Sequence, residues 1–212
     1  MSDPPPQTPP RNVHNTLTGN PSGTVVQAGT VHGGVGNTTH IHQGPVAPKA
    51  LDAVPGPPDR FIGRAQDLEQ ITARLDPATT PRSVVVSVLS GMGGVGKTAL
   101  ALKAAQVAWA SGWFCAHLFV DLRGYAPGAE PLSAEAALDV LLRQMGVNPQ
   151  DIPAGAQERA SFYRSALASL TGADEQGRPV LIVADNANSV SQVRPLLPGP
   201  GGHRLVATSR EG

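Results

Sequence analysis

The sequence predicts an α/β fold, a three-layer parallel sheet with helices on both faces, behind a largely disordered N-terminal tail. Three observations carry this. The apolar, mostly β-branched run Val84–Leu89 passes through a glycine-rich turn into the helix-compatible run Ala99–Ala110. A second apolar run, Val180–Ala184, ends in Asp185. Residues 1–60 are of another composition, holding 11 of the 21 prolines and no aromatic residue.

That first segment has too little apolar surface to offset the entropy of ordering it. Disorder is expected over residues 1–59, above all over 1–11 and 44–59. Residues 19–36 stand out within it. Thr24-Val25-Val26-Gln27-Ala28 is uncharged, free of proline and β-prone, and Thr30-Val31-His32 repeats the flavour after Gly29. Such a segment can stack in register as cross-β with a glutamine ladder at Gln27; a flexible Gly/Thr linker is the plainer alternative. His32, His40 and His42 have no cysteine or clustered carboxylate nearby, so solvated histidines are preferred to a metal site.

The globular part is expected from residue 60. Phe61-Ile62-Gly63-Arg64 forms a turn, and Leu68, Ile71 and Leu75 then share one helical face until Pro77. Next comes the strand before Gly91-Met92-Gly93-Gly94-Val95-Gly96-Lys97-Thr98, which fits the phosphate-binding loop pattern at every fixed position. Glycines let the backbone wrap so that its N–H groups meet phosphate oxygens at a helix N-terminus. Lys97 supplies a mobile charge for the β- and γ-phosphates, Thr98 a hydroxyl for Mg²⁺, and Ala99 begins the helix against the ligand. Gly91-x-Gly93-x-x-Gly96 also satisfies the dinucleotide fingerprint, with Asp121 as its ribose acid. The Lys-Thr pair argues against that alternative.

A second strand spans Cys115–Leu122. A helix follows over about 133–145, with Leu138, Leu141 and Leu142 on its apolar side. A further helix over about 156–170 is expected to bury Phe162 and Leu170, with Ala166 between them. The third strand ends at Asp185, placing one carboxylate beside the loop to hold Mg²⁺ with Thr98. Asn186 follows it and cannot act as a general base, so hydrolysis is expected to be slow. The last strand, Arg204–Thr208, leads into Ser209-Arg210.

Sixteen basic and sixteen acidic residues leave no net charge, and no long basic run points to nucleic acid. Cys115 is the only cysteine, which excludes a disulfide within the chain, and a buried thiol is expected there. No apolar signal core or membrane-length run appears, so cytoplasmic is the simplest localisation.

Phe61–Arg64, Gly91–Thr98, Val120–Gly124, Val180–Asn186 and Thr208–Arg210 together resemble the nucleotide-binding half of an NB-ARC module. These modules form the STAND class of P-loop NTPases. The resemblance implies a P-loop three-layer sheet over residues 60–212 that binds ATP or ADP with Mg²⁺. It places Phe61, Ile62, Gly63 and Arg64 against the adenine and gives Arg210 a γ-phosphate-sensing role. Lys97, Asp185 and Arg210 would then act on the phosphates, in a slow ATPase at most. Val26-Gln27-Ala28-Gly29 is similar to the RHIM-like amyloid motifs ahead of some bacterial NOD-like ATPases. The family continues into further domains, so the chain reads as incomplete at its C-terminus, with one sheet edge unpaired. The implied function is a nucleotide switch that assembles through the missing domains or residues 24–31 and recruits an effector with a matching motif. A small-metabolite phosphotransferase and a non-enzymatic adaptor are the alternatives, although no basic cluster suited to a phosphorylated substrate appears between residues 125 and 178.

Overall fold

The computed structural model describes residues 49–58, 63–79, 85–89, 96–125, 128 and 130–210. All lie in the second of the chain's two units, residues 44–212. The segment proposed for cross-β stacking, His32, His40, His42, Phe61, Ile62 and Gly91–Val95 lie outside the described residues.

The elements in order are α1 (Ala65–Leu75), β1 (Val85–Leu89), α2 (Lys97–Ala110), β2 (Ala116–Asp121), α3 (Ala134–Gln144), α4 (Ala156–Ala173), β3 (Val180–Ala187), the short α5 (Val190–Val193) and β4 (Arg204–Ser209). Single 3₁₀ turns sit at Pro149–Asp151 and Arg194–Leu196. The strands form one sheet in the order β1-β4-β3-β2. Every pairing is parallel, with Val85 beside Arg204 and Ala116 beside Val180. Parallel neighbours need crossovers, and those crossovers cover both faces with helices.

Side-chain alternation divides the core. On one face Leu118, Val120, Ile182, Ala184 and Leu205 meet Leu138, Leu141 and Leu142 of α3 and Leu167 of α4. On the other, Leu181, Val183 and Val206 meet Ile71 and Leu75 of α1 and the alanine-rich flank of α2. Leu181, Ile182 and Val183 are 0% exposed, and such burial stabilises by about 1.5–3 kcal/mol per side chain. Ser133 caps α3, its hydroxyl accepting from the Ala136 N–H.

Three expectations need correcting. First, α4 buries Tyr163 and Leu167, both 0% exposed, while Phe162 is exposed. Ala166 and Leu170 only flank the core. A phenol is a poor core candidate until its hydroxyl has a partner, and here Tyr163 Oη donates to the Leu196 carbonyl at 3.2 Å. Second, residues 49–58 are not structureless. Ala50 N–H donates to the Gln144 carbonyl (2.8 Å), and Leu51 and Ala53 pair with His117 on the open edge of β2 (2.6 and 2.9 Å). Leu51 and Val54 then pack against the two faces of the core. Third, Cys115 is half-buried and precedes β2; burial still pushes its thiol pKa up. Beyond β1, no strand pairs with the outer edge among the described residues.

Two buried polar side chains lie at the N-terminal end of the sheet. Arg204 is 0% exposed, and its guanidinium donates to the carbonyls of Gly202 and Asp76, tying the start of β4 to the end of α1. His203 accepts the Val180 N–H on Nδ1 at 3.2 Å. Burial, helped by the Arg204 charge, lowers its pKa to about 4. On β2, His117 meets the Trp109 ring at a tilt and the Phe114 ring edge-to-face, and burial also lowers its pKa to about 4. Its Nε2 is buried with no hydrogen-bond partner.

Candidate functional site

A cleft of about 490 Å³ opens at the C-terminal ends of the strands, where parallel α/β sheets place their ligands. Gly96, Lys97, Thr98, Ala99 and Leu102 line it from α2. Gly96 caps that helix at φ +75°, a left-handed conformation that favours glycine. Lys97 is buried at 9% exposure, while Thr98 beside it is exposed.

Asp185 and Asn186 enter from β3. The strand carries a bulge there: Ala184 pairs with Ala207 and Ala187 with Ser209, so Asp185 and Asn186 together oppose Thr208. Asn186 absorbs the irregularity at φ +61°, which asparagine tolerates better than most residues. Its carbonyl accepts from Gly124 N–H at 2.8 Å, and its N–H donates to Thr208 Oγ1 at 2.9 Å.

The bulge aims the Asp185 carboxylate into the cleft. Its Oδ1 accepts from Thr98 Oγ1 at 2.8 Å and also from the hydroxyl of Thr208. Thr208 is almost fully buried. One carboxylate oxygen thus ties α2, β3 and β4 together. No group of three or more His, Cys, Asp or Glu that could hold a metal occurs among the described residues. A divalent cation could be held here through one carboxylate, one hydroxyl and the ligand's own phosphates, a donor set that suits Mg²⁺ and would not form without a phosphate ligand.

Ser209 and Arg210 line the cleft from the end of β4. The Arg210 guanidinium lies over the Tyr125 ring, 5.2 Å from its centroid. The structure therefore brings together Gly96, Lys97, Thr98, Ala99, Asp185 and Arg210. Gly63 and Arg64 are not among the described residues lining the cleft. Gly63 turns the chain at φ +82° into α1, and Arg64 pairs with Asp67 at 3.5 Å. From that side Pro58 reaches the cleft instead.

Sequence reasoning missed the contribution of Pro58 and Leu102 and the reason for glycine at position 124. A Cβ on Gly124 would sit 2.5 Å from the Asn186 carbonyl oxygen and 2.6 Å from the Asn188 nitrogen. Glycine is required there by close approach of two backbones, and the residue's place in a loop gave no sign of which backbone would come near. The dinucleotide alternative fails on topology. Its acid belongs on the strand beside β1, whereas Asp121 ends β2, with β3 and β4 between. Asp121 instead accepts the Arg123 N–H at 2.8 Å.

Comparison with known proteins agrees with this geometry. The AAA ATPase domain family matches residues 60–197. The chain belongs to that family. It is 40% identical over 154 residues to the regulatory protein AfsR of Streptomyces coelicolor and, to the same extent, to that of Streptomyces griseus. Each match covers 71% of this chain and 14% of the relative, so the chain spans about a seventh of their length. The crystal structure of Cdc6p from Pyrobaculum aerophilum superposes with a TM-score of 0.50 at 16% identity, over 72% of this chain and 40% of that one. The fold is that of the P-loop ATPases, with a parallel sheet. Among the described residues, no helix is long and apolar enough to cross a membrane.

Proposed function

We propose that this AAA ATPase domain is the ATP- and ADP-binding switch core of a regulatory protein of the STAND type, with residues 60–212 as its nucleotide-binding domain. The reading rests most on the Asp185 carboxylate, tied to Thr98 at the start of α2 and to Thr208 at the end of β4, in the cleft that Lys97 and Arg210 also line.

The chemistry follows from those positions. The N-terminus of α2 and Lys97 attract the phosphates, and the glycine-rich segment before them would add backbone N–H donors. Thr98 and Asp185 would hold Mg²⁺, which spreads the negative charge of the β- and γ-phosphates. Asp185 and Thr208 report the state of the phosphate end to β4, and Arg210 extends that contact. Pro58 and Leu102 offer an apolar flank for the base, and on this reading Phe61, Ile62, Gly63 and Arg64 would also contact it once nucleotide binds. Asn186 beside Asp185 has no basic lone pair for activating water, so the ATPase is a slow timer rather than a metabolic catalyst.

The regulatory half of the reading takes support from the AfsR relatives, which are regulatory proteins over their much greater length. Nucleotide exchange would then control self-assembly. Residues 24–31, brought together in the assembled state, would stack as cross-β and recruit an effector with a matching segment.

Isothermal titration of the 212-residue chain with ADP and with ATP, each with Mg²⁺, tests the core of this reading. Both are expected to bind. Replacing Lys97 with Ala removes a charge-assisted contact worth about 1.5–3 kcal/mol, so binding should weaken at least about tenfold. A folded chain that binds neither nucleotide, or a Lys97→Ala variant with undiminished affinity, would refute the assignment.

A further inference from the structure

The cleft has an order along its length. Leu102 and Pro58 form an apolar flank, Lys97 and Thr98 stand at the helix N-terminus, and Asp185, Thr208 and Arg210 occupy the side toward β4. Arg210 is the cation at that last station, and it is not idle there. Its guanidinium rests over Tyr125, from the loop after β2.

The loop that carries Tyr125 is braced on both sides of the ring. Gly124 N–H donates to the Asn186 carbonyl, and the nearly buried Gln192 donates through Nε2 to the carbonyls of Leu122 (3.1 Å) and Leu132 (2.8 Å). These bonds anchor the backbone on both sides of Tyr125. The Tyr125 hydroxyl is buried and has no hydrogen-bond partner. Whatever this residue does for Arg210, it does through the face of the ring.

We infer that Tyr125 sets the preference between nucleoside triphosphate and diphosphate, by holding Arg210 whenever no terminal phosphate is present. This rests on the nucleotide-switch reading above and names the residue that biases it. In the free chain and with ADP, Arg210 keeps its ring contact. With ATP, the guanidinium leaves the ring for the γ-phosphate, and the lost cation–π contact subtracts from ATP affinity alone. At an exposed site such a contact corresponds to about a two- to fivefold change in affinity.

The test is isothermal titration of the full chain with Mg²⁺–ADP and with a non-hydrolysable Mg²⁺–ATP analogue. The variants are Tyr125→Leu, Tyr125→Met and Tyr125→Phe, with the two apolar changes repeated on an Arg210→Ala background. Two apolar replacements guard against one failing to fold, which a thermal melt reports. Leu and Met are expected to tighten the triphosphate about two- to fivefold and leave ADP unchanged, while Phe behaves as the parent. On the Arg210→Ala background both apolar changes should be silent. An unchanged or reversed triphosphate-to-diphosphate ratio overturns the inference, as does a shift that persists without Arg210. Parent chain that binds neither nucleotide, or binding that survives Lys97→Ala, instead overturns the switch reading and the inference with it.

Discussion

Lowering the pH from 7 to 5 is expected to cost the fold about 4 kcal/mol through two buried histidines. His117 and His203 are each about 1% exposed, and burial lowers both pKa values from 6.5 to about 4. A group whose folded pKa is depressed stays neutral in the folded chain while the unfolded chain takes up a proton. Stability is therefore intact above pH 6.5, falls as the pH drops from 6.5 toward 4, and levels off below that, where both states are protonated. At pH 5 the unfolded histidine is 1.5 units below its own pKa, which at about 1.36 kcal/mol per unit is about 2 kcal/mol for each residue. Asp174, held at about 2 by the Arg178 guanidinium, loses its contribution only below about pH 4 and stays out of this window.

The assay is urea unfolding at pH 7, 6 and 5 on the parent chain and on His117→Leu. His117 is the better residue to replace, because its Nε2 has no partner to leave behind. The other four histidines fall within residues 1–48 and cancel in the comparison. The parent should lose about 4 kcal/mol between pH 7 and 5 and the variant about 2 kcal/mol. Equal losses in both, or a flat profile in the parent, would refute the argument from burial.

Two further predictions concern the bulge. Gly124→Ala forces a methyl group into backbone atoms of Asn186 and Asn188, which cannot swing away as a side-chain tip can; a loss of about 1–3 kcal/mol in urea unfolding is expected, and parent-like stability would show that the loop yields freely. Thr208→Val keeps the shape but removes the hydroxyl that joins Asn186 N–H to Asp185, at a cost of about 2 kcal/mol; Thr208→Ser should restore most of it, and a serine variant as weak as the valine one would locate the effect in packing instead.

Much of this architecture is written locally in the chain. Val180–Ala184 is short, rich in β-branched residues and follows Pro179, which favours a strand buried on both faces, and a β-branched run broken by Gly91–Gly96 announces a strand, a turn and a helix. Asp185 was readable because the acid terminates such a run. Its partners were not. Thr98, Asp185 and Thr208 meet only because two crossovers insert β3 and β4 between β1 and β2, and nothing near any one of them encodes that order. Residues 49–58 misled for a different reason. Their proline content describes a chain with little to bury, yet a few backbone bonds to the edge of β2 and two apolar side chains suffice to seat them. In α4 the reading chose Phe162 on hydropathy, and the structure chose Tyr163 because Leu196 offered its hydroxyl an acceptor.

The strand order has a consequence for how the chain comes to be folded. β2 and β3 can pair while β1 still waits, because Val85 finds its partner only at Arg204. Contacts so distant along the chain close slowly, and a ribosome delivers β4 after every other described element. Until then the strand that precedes the glycine-rich turn has an unpaired edge, and Thr98 has no Thr208 to share Asp185 with. Among the described elements, the cleft is thus completed last. Any ligand that binds it selects molecules whose β1 and β4 are already paired, and by mass action it stabilises that pairing.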